Sequence, residues 1–191
     1  MRFKYCYLWF FLLAGSCCTA CEPKEKYYSF SEKELDFVSY EEKETFKLID
    51  STKAIHQMSQ SLYDRYFFEW IGFFGSSNEF QEVYQVSYGS DGPSPIDLSV
   101  NLESYIGEGH SAYDLRIQIN EFEVYASPNK LTPSVVPLEI MGRPYNRVYS
   151  LKAYSLKVPN VIQDSAIVLW NREYGLIQLQ FSNGKTITRK D

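Results

Sequence analysis

Tyr113-Asp114-Leu115-Arg116-Ile117-Gln118-Ile119-Asn120 decides the fold class of this chain. Apolar and polar residues alternate without a break, a period of two that belongs to a half-buried strand and not to a helix. Tyr113, Leu115, Ile117 and Ile119 are thereby predicted on one buried face. Beyond Asn120-Glu121 the parity slips and Phe122 and Val124 become the apolar positions, so a bulge or bend is expected there. The alternation recurs at Ile96, Leu98, Val100 and Leu102, behind the turn-forming Asp91-Gly92-Pro93-Ser94-Pro95.

The same reading extends outward. Ile177, Leu179 and Phe181 alternate with Gln178 and Gln180 before Asn183-Gly184 reverses the chain. A two-residue loop would set Ile187 opposite Gln180, on the polar face. A three-residue loop over Ser182-Asn183-Gly184, with Gly184 left-handed, sets it opposite Leu179 and buries it, so the bulged form is predicted. Asp36–Tyr40 and Thr45–Ile49 read as a hairpin around Glu41-Glu42-Lys43-Glu44. Ile55, Met58, Leu62 and Tyr66 fall at helical spacing behind Ser51 and Thr52, which predicts one short helix over 52–63. The fold class is therefore all-β, an antiparallel β-sandwich or a partly open β-barrel with at most one short helix.

The first residues carry an address. Arg2 and Lys4 precede an uncharged apolar run, Tyr5–Leu13, and Ala14, Gly15 and Ser16 lead into Cys17. A basic start, a short apolar run and small residues are the parts of an export signal, and the run is shorter than the roughly 20 residues a membrane-crossing helix needs. Leu13-Ala14-Gly15-Ser16-Cys17 resembles the signal of bacterial lipoproteins. The resemblance implies cleavage before Cys17, acylation of its sulfur and new amino terminus, and residence in the cell envelope, at the outer membrane, held by acyl chains. Cys18 and Cys21 are rival acceptors, and an ordinary secretory signal cut elsewhere is the plainer alternative. The expected organisation is a signal peptide over 1–16, a lipidated cysteine and tether over 17–26, and one β-rich domain over 27–191.

Charge and cysteine usage exclude several classes. The chain carries 19 basic and 24 acidic residues. Without residues 1–16 the balance is 17 against 24, or −7, with no dense basic cluster to neutralise phosphates, so no nucleic-acid partner is expected. All four cysteines lie within the first 21 residues. The domain therefore has no disulfide framework, no thiol nucleophile and no cysteine-ligated zinc, and its stability must come from its core.

Chemistry-bearing motifs are few. His56 and His110 lack metal-ligand spacing, and no metal or cofactor is expected. Gly107-Glu108-Gly109-His110-Ser111-Ala112 matches a dinucleotide fingerprint in letters alone. That motif opens a helix, whereas Ala112 onward alternates as a strand, so a hairpin turn is predicted. Nothing in the spacing of Ser111, His110 and Asp114 recommends a catalytic triad. Gly142-Arg143-Pro144-Tyr145-Asn146-Arg147-Val148-Tyr149, Ile167–Ile177 and Asn183-Gly184-Lys185 together resemble the tail of many Bacteroidota lipoproteins, over about residues 138–189. That resemblance implies a β-rich envelope lipoprotein and no particular activity.

Tyr66-Phe67-Phe68-Glu69-Trp70-Ile71-Gly72-Phe73-Phe74-Gly75 is the unusual internal stretch. Dense aromatic runs are most often core, so a central strand buried on both faces is expected, with Gly72 at a bulge. Two functional readings stand beside it: a cavity wall with Glu69 and Trp70 contacting a ligand or partner, and an exposed apolar lip for a partner or lipid. The leading functional expectation is a non-enzymatic binding or assembly domain engaging an unknown envelope protein or small ligand. A carrier of a small hydrophobic molecule follows. A glycan-active hydrolase using carboxylates from Glu69, Glu79, Glu82 and Asp114 ranks last, because no spacing selects a pair.

Overall fold

A computed structural model describes residues 24–38, 40–72, 75–107, 110–156 and 165–190. Its strands are β1 (Lys26–Tyr28), β2 (Thr45–Asp50), β3 (Ile55–Gly72), β4 (Gly75–Ser90), β5 (Asp97–Gly107), β6 (His110–Ile119), β7 (Phe122–Ala126), β8 (Leu138–Ile140), β9 (Arg143–Tyr145), β10 (Tyr149–Ser155), β11 (Ser165–Asn171), β12 (Gly175–Phe181) and β13 (Thr186–Lys190). One helical turn, α1 (Glu32–Leu35), and a 3-10 turn at Pro128–Lys130 complete the described elements. Ten strands join edge to edge in the order β4-β3-β2-β13-β12-β11-β10-β7-β6-β5, and β5 pairs back onto β4, which closes the sheet as an antiparallel barrel. β1 is an eleventh strand, parallel to β4.

Period-two patterning sets which side of each strand faces in. Leu98, Val100 and Leu102 of β5, Leu115, Ile117 and Ile119 of β6, and Val168 and Trp170 of β11 are all at most 1% exposed. Outward positions are largely polar, among them Lys47, Gln85, Ser99, Arg116, Lys152 and Gln180. That polarity is the reverse of a barrel whose wall meets hydrocarbon.

The middle of the barrel is filled by chain from outside the wall. The segment before β2 supplies it with the side chains of Phe30, Phe37, Val38 and Tyr40, which join the central cluster, while Ser31, Glu32 and Asp36 stay exposed. The Trp170 indole N–H donates to the Phe37 carbonyl at 3.1 Å. The Tyr40 ring lies 5.0 Å from Tyr88 and 5.8 Å from Trp170. Its hydroxyl accepts the Leu176 N–H at 3.0 Å, and Tyr84 donates its hydroxyl to the Tyr40 carbonyl at 2.8 Å. The Trp170 indole, the Tyr40 hydroxyl and carbonyl and the Tyr84 hydroxyl are thus paired, as a low-dielectric interior demands. A second, smaller cluster lies on the outer wall, where Ile140, Tyr145 and Val148 cover Leu169 and Ile177.

Several sequence expectations hold residue by residue. The last hairpin pairs Leu179 with Ile187, with Gly184 at φ 80°, as the three-residue loop requires. Gly107 pairs with His110, so the glycine-rich stretch joins two strands. The parity slip after Ile119, expected as a bulge or bend, is instead a full chain reversal: Ile119 pairs with Phe122 across Asn120-Glu121, with Asn120 left-handed at φ 50°.

Others are overturned. Residues 55–72 form a strand where a helix was expected over 52–63. The Asp50 carboxylate gathers the Thr52 hydroxyl at 2.6 Å and the Thr52 and Ala54 N–H groups at 2.8 and 3.0 Å. Thr52 is thereby part of a tight reversal into β3 and caps no helix. Asp36–Tyr40 is no strand of a hairpin either; β2 pairs with β3 and β13 instead, and Phe37, Val38 and Tyr40 are spent on the interior.

Candidate functional site

β3 and β4 are far longer than the barrel is tall. β2 accompanies β3 only as far as the Thr45–Ser59 pair, and β5 accompanies β4 only as far as the Val83–Glu103 pair. Beyond those points β3 and β4 continue together as a ribbon, with β1 alongside β4 at Glu79–Gln81. Among the described residues, the outer edge of β3 past Ser59 has no strand beside it. A bulge between Gln60 and Leu62 marks where the ribbon departs.

Among the described side chains, the β3 strand of the ribbon carries exposed apolar residues on both faces. Residues paired across strands share a face. Tyr63, Arg65, Phe67 and Glu69 therefore lie on the side of Val86, Tyr84, Glu82 and Phe80, while Leu62, Tyr66 and Phe68 lie on the opposite side. Tyr63, Tyr66, Phe67 and Phe68 are 41%, 41%, 42% and 37% exposed. The expectation of a strand buried on both faces is thus wrong for this segment. A barrel wall covers only one side of a strand and its neighbours only the edges, and here the wall and one neighbour have both ended.

Tyr27 of β1 extends the aromatic surface. It stacks on Phe80 at 4.8 Å and meets Phe67 edge-on at 5.4 Å, yet remains 55% exposed. At the base of the ribbon, Glu82 is 1% exposed. Its carboxylate takes the Phe30 N–H at 2.6 Å and is bridged by the Arg65 guanidinium. Ser104 Oγ accepts the Glu82 N–H at 2.8 Å and donates to the Tyr28 carbonyl at 3.0 Å. One buried carboxylate thus ties the ribbon to the segment that enters the barrel.

The residues singled out from sequence fall as follows. Glu69 is half-buried on the ribbon, opposite Phe80. Trp70 follows it in β3, but its side chain lies outside the described residues, as do Cys17, its rivals Cys18 and Cys21, and the side chains of His110 and Ser111. Glu82 faces the barrel side, whereas Asp114 points outward and accepts the hydroxyls of Tyr125 and Ser127. Of the carboxylates named for glycan hydrolysis, Glu69 and Glu82 share one face of the ribbon, while Asp114 lies apart on the outer wall and Glu82 is already held by Arg65 and the Phe30 N–H. His56 is buried and bonded to Asp50 at 3.2 Å. No group of three or more His, Cys, Asp or Glu side chains suited to a metal occurs among the described residues.

Sequence reasoning missed Tyr27, Arg65 and the Glu82 anchor. Tyr27-Tyr28 is too short a run to read as a strand, and a buried Glu leaves no periodic signal. The interior wall that a cavity would need is occupied by Phe37, Tyr40 and Trp170. A cleft of about 350 Å³ beside Ser150, Lys152, Ile167 and Gln180 opens on the outer wall. The molecule is, in class, a closed β-barrel with a filled interior and a projecting aromatic ribbon. Comparison with protein-family models, with curated proteins and with solved structures found no match.

Proposed function

We propose that this chain is an exported cell-envelope lipoprotein, anchored by acyl chains on Cys17 at the outer membrane, whose barrel serves as a non-enzymatic binding or assembly domain. The observation that carries the binding role is the exposed aromatic ribbon, a kind of surface that monomeric proteins rarely leave uncovered without use. The anchoring role rests on the Tyr5–Leu13 run and Leu13-Ala14-Gly15-Ser16-Cys17. Two or more acyl chains would hold a domain of this size stably, where one would bind only marginally.

The carrier reading has less support. A ligand would have to displace Phe37 and Tyr40, which are 0% and 3% exposed and hydrogen-bonded into the wall. The deciding measurement is the intact mass of the protein extracted from membranes. A chain starting at Cys17 with diacylglyceryl and amide-linked acyl groups is expected. An unmodified amino terminus, or acylation at Cys18 or Cys21, would reject the assignment of Cys17.

A further inference from the structure

Taking the Cys17 anchor as given, we infer that the β3–β4 ribbon dips into the interfacial layer of the same bilayer that holds the acyl chains, so the barrel stands on the membrane in one orientation. The direction of β1 carries this. Parallel pairing aligns Lys26, Tyr27 and Tyr28 with Glu79, Phe80 and Gln81. Followed backward from Lys26, the chain runs the way β4 runs backward, toward the ribbon tip at Gly75. The tip lies four residues beyond Glu79, about 13 Å at the rise of a strand. Cys17 lies nine residues before Lys26, a reach of at most about 30 Å when fully extended. Anchor and aromatic ribbon therefore leave the barrel at the same end, and the tether is too short to carry the acyl chains to the other.

The chemistry of the ribbon fits a lipid interface better than a second protein surface. A sheet or groove laid on one face would cover Leu62, Tyr66 and Phe68 but leave Tyr63, Phe67 and Tyr27 in water, or the reverse. A fluid interface surrounds both faces at once. Tyrosine and other aromatic rings favour that depth, where one end of the side chain is apolar and the other wet. Charges of both signs sit among them, with Arg65 paired to Glu82 and Lys26 to Glu79 at 3.2 Å. Association is therefore expected to depend on aromatic burial and not on anionic headgroups.

The test uses the full acylated chain, purified from membranes and reconstituted into phosphatidylcholine vesicles whose acyl chains carry bromine. Trp170 is fully buried in the barrel, so quenching of tryptophan fluorescence that disappears in Trp70→Phe reports the ribbon. Such quenching is expected, unchanged by high salt or by added anionic lipid. Most of it should be lost in Tyr66→Ser/Phe67→Ser/Phe68→Ser while acyl mass and melting temperature stay the same; Tyr66→Ser alone gives a partial loss should the triple variant fold poorly. An acylated wild-type chain without Trp70 quenching overturns the inference and leaves the anchor standing. A chain lacking acyl groups overturns the anchor first, and this inference with it. A dimer in detergent that the triple substitution dissociates would reassign the ribbon to a second copy.

Discussion

Gly175 holds a left-handed φ of 66° at the start of β12, directly against the ring of Tyr40. A Cβ placed there would stand 2.5 Å from both Tyr40 Cζ and its hydroxyl oxygen. The ring cannot retreat, because Phe46, Tyr88 and Trp170 surround it. Gly175→Ala should therefore carry two costs, about 1–2 kcal/mol for the backbone conformation and about 1–3 kcal/mol for overpacking. Denaturant unfolding is expected to show a loss of about 2–5 kcal/mol in total. In a Tyr40→Ala background the overpacking part should vanish, leaving about 1–2 kcal/mol from the backbone. Equal losses in both backgrounds would mean that the ring and Gly175 do not meet.

At the scale of elements, the strands that could be read were those with water on one side and core on the other. β5 and β6 alternate because one wall of the barrel imposes it, whereas in β12 the alternation read from Ile177 fails, since Ile177 packs in the outer cluster and Leu176 and Leu179 in the central one. The loop of the last hairpin was legible because only one register buries Ile187. The β2–β3 connection was misread because Ile55, Met58, Leu62 and Tyr66 satisfy a helical spacing by chance. What overrides that spacing is Asp50, whose carboxylate locks the reversal. The Thr52 hydroxyl, with help from His56 and the Thr52 and Ala54 N–H groups, holds its pKa down to about 2. A carboxyl that binds its proton less readily when folded adds stability above its ordinary pKa near 3.8. That stability drains away as the pH falls through this value toward 2. Titration of the Asp50 carboxyl by NMR should give a midpoint near 2, and Asp50→Asn should flatten the stability profile between those two pH values. A midpoint near 4 would show that the turn does not hold the charged form.

For the whole molecule, the part of the fold that sequence could not reveal is how its first described segment is used. Asp36–Tyr40 reads as a strand in sequence, yet Phe37, Val38 and Tyr40 are buried in the central cluster without pairing in the wall. A ten-strand wall encloses more space than its own inward side chains fill, because barrel diameter grows with strand number. Phe37 and Tyr40 supply the missing volume. The candidate site shares this history: the aromatic run was visible, but its exposure depended on where β2 and β5 stop, which no local pattern encodes. The hydrogen bond from the Phe30 N–H to the buried Glu82 carboxylate fastens the segment after β1 to the barrel wall. The N-terminal segment should accordingly behave as part of the core. Phe37→Ala is expected to cost about 3–5 kcal/mol, the usual loss for a buried aromatic, and a chain begun at Glu42 should fail to give a cooperative melt. Full cooperative folding of that shortened chain would mean that the barrel closes without its plug, and would return the interior to contention as a ligand cavity.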